Sequence, residues 1–141
     1  MKKIVVSMLM IITILCAVAV PGYADYTVSP RLNNLSQYSV IFEIAEDGTA
    51  SIDIFYRGTP GVTTGATINS KIQKKVSGNW VDVDIDEPNN KWVDTSSNFI
   101  FSTTHTHVLT ERGTYRAVVE FNISGNGGAN DIFTETIEKT F

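Results

Sequence analysis

Leu109-Thr110-Glu111-Arg112-Gly113-Thr114-Tyr115-Arg116-Ala117 decides how this chain is read. It ends in the cleanest alternation of the sequence, with Tyr115, Ala117, Val119, Phe121 and Ile123 on one side of a period-2 run. Such a run is a strand with one buried face. Tyr115 sits at its entry, two residues after Gly113 and six after Leu109. A tyrosine placed there is expected to pack its ring at the strand's start and turn its hydroxyl back toward the preceding backbone. The expected acceptor lies between Leu109 and Glu111, and Leu109, Gly113 and Tyr115 are expected to be structural.

Working outward, the same alternation recurs between turn signals. Tyr38, Val40, Phe42 and Ile44 share a face; Asp47-Gly48 turns the chain; Ile52, Ile54 and Tyr56 repeat the pattern. Ala66, Ile68, Ile72 and Val76 follow, then Ser77-Gly78-Asn79 and Trp80-Val81-Asp82-Val83-Asp84-Ile85, with the valines and Ile85 expected inward. Asp86 to Ser97, rich in Pro, Asn, Asp and Ser, reads as a long crossing loop carrying Trp92. Phe99 to Val108 and a last strand bearing Phe133, Ile137 and Phe141 complete the set. The expected strands lie near 37–45, 50–57, 65–76, 79–85, 97–108, 113–123 and 131–140. Seven short antiparallel strands and a tyrosine corner fit an immunoglobulin-like, fibronectin type III-like sandwich. Antibody-type domains carry a cysteine where Ala117 stands, so a disulfide-free version is expected.

The N-terminus is read separately. Lys2 and Lys3 precede an apolar run from Ile4 to Val20, and Pro21-Gly22-Tyr23-Ala24 places small residues at a cleavage site; 1–24 is expected to be a cleaved secretory signal peptide. A lipoprotein reading of Cys16 fails because Leu15 stands where a small residue is required. Residues 25–36 are expected to be an extension and 37–141 one domain. Removing the leader leaves nine basic residues against fifteen acidic ones, a net charge of −6, and no cysteine. In that remainder of 117 residues, Val, Ile and Thr number 36 and Ala, Leu and Met 8, the balance of an all-β chain. Thiol chemistry is excluded. An acidic chain without a basic patch is a poor match to nucleic acid, and no membrane association is expected after cleavage.

Ile68-x-x-Lys71-Ile72-Gln73-Lys74-Lys75-Val76-x-Gly78-x-Trp80, followed by Gly113-Thr114-Tyr115-Arg116-Ala117, resembles a family of small secreted Firmicutes proteins of unassigned function. The resemblance spans about Ile41 to the C-terminus. It implies secretion and the sandwich fold, and it supplies no catalytic or binding residues.

Three constellations bear on chemistry. His105 and His107 project from one strand face, and a carboxylate such as Glu120 or Asp53 would have to complete a metal site. Asp82, Asp84 and Asp86 alternate ahead of a loop with Glu87, Asn89, Asn90 and Asp94, a density of oxygen ligands suited to Ca²⁺ in an extracellular module. The simpler reading makes those aspartates the polar outer face of a strand. Trp80, Trp92, Tyr56 and Tyr26 form a possible sugar-stacking set, against which a Trp after a turn commonly folds over a neighbouring strand. The motifs of nucleophile elbows, phosphate loops and zinc proteases are missing from the sequence. The expected function is a secreted, non-catalytic module without a cofactor that binds a protein partner at the cell surface or in the medium through edge strands and the loops 86–97 and 124–131. A carbohydrate- or calcium-binding wall module is the alternative, and a small secreted hydrolase centred on His105 a remote one.

Overall fold

The computed structural model describes residues 32–141. The leader expected at 1–24, with Cys16, and Tyr26 lie outside the described residues. Eight strands are present among them: β1 (Leu35–Ile44), β2 (Thr49–Gly58), β3 (Thr63–Val76), β4 (Asn79–Asp82), β5 (Trp92–Ser96), β6 (Ile100–Val108), β7 (Thr114–Gly125) and β8 (Asp131–Thr140). A single 3₁₀ turn, Pro88–Asn90, interrupts them. The domain is all-β, antiparallel and free of disulfides.

The strands form two sheets. One has the order β1-β2-β6; the other runs β4-β3-β7-β8, with β5 also paired to β3. The long strand β3 takes β7 along one side. Its other side is shared, β5 pairing with Ala66 to Ser70 and β4 with Gln73 to Val76. The eighth strand corrects the expected count of seven. Asp86 to Ser97 is not one crossing loop, because Trp92 to Ser96 lies in register with β3.

Register explains the core. Phe42 pairs with Ile52, Val40 with Ile54, Ile68 with Phe121 and Ile72 with Ala117, so each sheet presents a continuous apolar inner face. These faces meet in one cluster that buries Phe42, Ile52, Ile54, Tyr56, Ile68, Ile72, Val119, Phe121 and Ile123 almost completely. Burying such a side chain contributes about 1.5–3 kcal/mol. Val76 pairs with Asn79 around a two-residue turn in which Ser77 (φ 51°) and Gly78 (φ 86°) are both left-handed, the geometry that matches strand twist. At Gly48 (φ 89°) a Cβ would come within 2.6 Å of the Leu109 carbonyl oxygen, so the β1–β2 turn can pack against the β6–β7 connection only as glycine.

Two details differ from the sequence reading. Residues 33–36 are integral to the domain: Asp131 accepts hydrogen bonds from the backbone N–H groups of Asn33 (2.7 Å), Asn34 (2.8 Å) and Leu35 (2.9 Å). The strand expected to run to 85 ends at Asp82, and Val81 is half-exposed. Val81 faces a cleft at the side of the sandwich, and only Ile85 of the expected inward residues is buried.

Candidate functional site

The outer face of the second sheet carries a connected set of aromatic and polar side chains. Cross-strand pairing aligns Trp80 with Lys75, Asp82 with Gln73, and Gln73 with Arg116, so all five stand on one face. Lys71 Nζ lies 3.0 Å from Asp82 Oδ1. Gln73 Nε2 donates to the same oxygen at 2.6 Å, and Arg116 Nε donates to Gln73 Oε1 at 2.8 Å. The Arg116 guanidinium lies over the Trp80 ring at 4.3 Å and the Lys75 ammonium at 5.4 Å. The amide of Gln73 thus couples a carboxylate to a guanidinium, and two cations fix the indole. The Gln73 hydrogen bond, followed by the Lys71 contact, holds the Asp82 carboxyl below its usual range. Beside this set lies a pocket of about 220 Å³ lined by Asn69, Lys71, Asn89, Lys91, Val118 and Glu120.

The two lateral seams of the domain are closed in matching ways. At one, Tyr38 of β1 donates its hydroxyl to Glu135 of β8 at 2.6 Å, and its ring packs on Phe133 and Phe121. That hydrogen bond is the main reason the Tyr38 hydroxyl titrates above its usual range. At the other, His105 Nε2 of β6 lies 2.7 Å from Asp94 Oδ2 of β5, and the imidazole stacks on Trp92 with centroids 4.8 Å apart and planes within 6°. Below the second seam opens a cleft of about 390 Å³ lined by Val76, Val81, Val83, His107, Val108 and Leu109, among others.

The sequence-derived candidates separate on this frame. His105 is engaged by Asp94 and Trp92, while His107 faces the cleft. Asp53 accepts from Thr104 Oγ1 at 2.5 Å, and Glu120 lines the pocket on the opposite sheet. Asp82 belongs to the Lys71–Gln73 network, Asp84 Oδ1 accepts from the Asp86 amide at 3.2 Å, and Asp86 is exposed with φ 60°. The three aspartates do not share a strand face, because β4 ends at the first of them. Among the described residues no three His, Cys, Asp or Glu side chains converge as metal ligands.

The stacking set is corrected in the same way. Tyr56 is fully buried, stacks on Phe101 at 5.8 Å and donates its hydroxyl to the Asn98 carbonyl at 2.7 Å; it is a core residue. Trp92 lies on a strand and lines the seam, not a polar loop. Trp80 remains partly exposed on the outer face. No family model matches this chain, and no curated protein matches it. No helix among the described residues is long and apolar enough to cross a membrane.

Tyr115 closes the strand entry quoted at the outset. It is buried and donates its hydroxyl to the Glu111 carbonyl oxygen at 2.6 Å. Leu109 is buried beside it and donates its N–H to the Gly48 carbonyl at 2.9 Å. Gly113 exchanges backbone hydrogen bonds with Phe141, tying the chain's last residue to the entry of β7. Lys74 pairs with Glu111 across the mouth of the cleft, which raises the Lys74 ammonium and lowers the Glu111 carboxyl relative to their usual ranges. Gln73 and Arg116 were invisible as site residues in the sequence. Their one signal was period-2 placement beside Lys71 and Lys75, which acquires meaning only once β3 and β7 are in register.

Proposed function

We propose that the chain is a secreted, non-catalytic binding module of immunoglobulin-like, fibronectin type III-like topology, whose partner surface is the outer face around Trp80 and Arg116. The carrying observation is the Trp80 indole contacted by Arg116 and Lys75 and braced through Gln73 to Asp82. Trp and Arg are the residue types that dominate binding energy at protein interfaces. A side chain fixed before contact loses little entropy on binding. The face gathers Lys71, Lys75, Lys91 and Arg116 with Asp82, Glu120 and Glu138, so basic groups outnumber acidic ones by one in a chain of net charge −4, and a partner carboxylate is best received near Lys75 and Arg116. The sheet order β1-β2-β6 against β4-β3-β7-β8, together with the Tyr115–Glu111 bond, supports the topology. The leader expected at 1–24 supports secretion.

The test is capture from cell-surface and culture-medium fractions, run in parallel with a glycan array and with calorimetry in millimolar Ca²⁺. Retention of a specific acidic protein by the native domain and not by Trp80→Ala or Arg116→Ala is the expected result. A glycan signal, or heat with Ca²⁺ and no protein partner, would favour the wall-module reading instead. Turnover of an ester or peptide substrate lost in His105→Ala would overturn the non-catalytic assignment.

A further inference from the structure

We infer that the domain pairs with a second copy of itself through the free edge of β6, antiparallel and centred on Thr104. This stands apart from the binding face, which lies on the other sheet. β6 ends its sheet and pairs only with β2, so one side of nine residues of backbone is left without a ladder. An exposed edge of this kind is a template for another strand, and proteins ordinarily guard it with charge, proline or a bulge.

The described edges differ sharply in that protection. β8 carries Asp131, Glu135, Glu138 and Lys139; β1 carries Glu43; β4 and β5 are short and carry Asp82 and Asp94. β6, Ile-Phe-Ser-Thr-Thr-His-Thr-His-Val, has no Asp, Glu, Lys, Arg, Pro or Gly, and its register with β2 is unbroken. Among the described residues it is the one edge strand without a formally charged side chain.

Its outward-facing residues are also chemically symmetric about Thr104. Antiparallel self-pairing at that centre sets Ile100 opposite Val108 of the other copy, Ser102 opposite Thr106, and Thr104 opposite itself. On this face apolar side chains meet apolar ones and hydroxyls meet hydroxyls, the pairings that stabilise cross-strand neighbours, while on the inward face Phe101 meets His107 and Thr103 meets His105. Ile100 is 44% exposed and Val108 59% exposed in the single chain, and the pairing covers both. Charged edges in an acidic chain disfavour the competing self-pairings, whereas β6 meets β6 without repulsion.

A second feature has the same two-fold relation. Phe99, 39% exposed, stands at the entry of β6, and the apolar cleft with Val76, Val81, Val83 and Leu109 stands at its exit. The same register brings Phe99 of each copy alongside Leu109 of the other. Each copy therefore offers an aromatic side chain where its partner has an open apolar cleft, and the contact is made twice. The product is a continuous six-stranded sheet with two outward binding faces, an arrangement that raises avidity for a repeated ligand.

The test uses the protein purified as the cell processes it. Sedimentation equilibrium at about 100 µM, two decades above a micromolar dissociation constant, is expected to give a dimer. A Thr104→Cys variant, with Cys16→Ser added if the chain retains that residue, is expected to form a disulfide dimer under mild oxidation, because facing residues of antiparallel strands have Cα separations of about 4.5–5.5 Å. Ser102→Lys with Thr106→Lys places like charges opposite each other and is expected to weaken the dimer at least about tenfold at unchanged circular dichroism. Mixing that protein with a Ser102→Glu, Thr106→Glu protein is expected to restore a dimer as the mixed species. A monomer at that concentration overturns the inference. So does a dimer that ignores the lysine pair and fails to cross-link at 104.

Discussion

His105 and Asp94 join the two sheets: their side chains meet at 2.7 Å from strands that belong to different sheets, with Trp92 stacked on the imidazole. Both side chains point inward by strand alternation, yet both are polar. A polar pair placed at a seam, partly reached by water, avoids the full cost of burying polar groups. His105→Phe, which preserves a ring over Trp92, is expected to cost less than His105→Ala. The alanine variant should lose about 1–3 kcal/mol in urea denaturation, since it removes both the stack and the hydrogen bond. Equal losses in the two variants would show that the stack contributes nothing.

Tyr115→Phe removes one hydrogen bond and leaves the Glu111 carbonyl without that donor. The expected cost is about 1–3 kcal/mol, read as a lower urea midpoint at unchanged slope. Partner binding should persist at a temperature where the variant is folded, because the residue lies away from the Trp80 face.

Asp131 receives three consecutive amides from the segment that enters β1, and Asn34 adds bonds to the Ile123 and Ala129 carbonyls and from the Gly127 amide. Asp131→Ala leaves those amides buried without their acceptor, at an expected cost of about 3 kcal/mol or more. Amide exchange should quicken at Asn33 to Leu35 more than in β3. Uniform protection across both would contradict the tether.

Asp82 is the group through which pH acts on the Trp80 face. Its carboxyl is held below the usual range by Gln73 and then Lys71, so its contribution is present above the ordinary aspartate range and is lost as the pH falls through the lowered value. Acidification is therefore expected to loosen the Trp80–Arg116 arrangement before the domain unfolds. The measurement is Trp fluorescence against pH in Trp92→Phe, which leaves Trp80 as the sole indole, with and without Asp82→Asn. An acid transition that persists in Asp82→Asn would place its origin elsewhere.

Much of the fold was legible because most strands bury one face completely. Ile52, Ile54, Ile68, Ile72, Val119 and Phe121 alternate with polar residues, and each lies in the core. β5 was hidden because its inward residues, Trp92, Asp94 and Ser96, line a seam, so period-2 hydrophobicity is diluted by polar atoms. Val81 and Val83 misled in the opposite sense: their alternation is that of a buried strand, but β4 ends at Asp82 and Val81 faces an open cleft. Tyr56 continued the Ile52–Ile54 face and was readable as core from that alone. The free edge of β6 was not legible at all. β6 is an edge because β5 pairs with β3 and not with it, which no local pattern in the sequence discloses.

The assignment of the Trp80 face is tested by the dissociation constant of the captured partner for the native domain against Trp80→Ala and Arg116→Ala, each checked for unchanged melting temperature. Each substitution is expected to weaken binding at least about tenfold, as loss of an interface anchor does, while Ile132→Ser, an exposed change on β8 outside the Trp80 network, leaves it unaltered. Unchanged affinity in both anchor variants, with loss on substitution elsewhere, would contradict the assignment of this face.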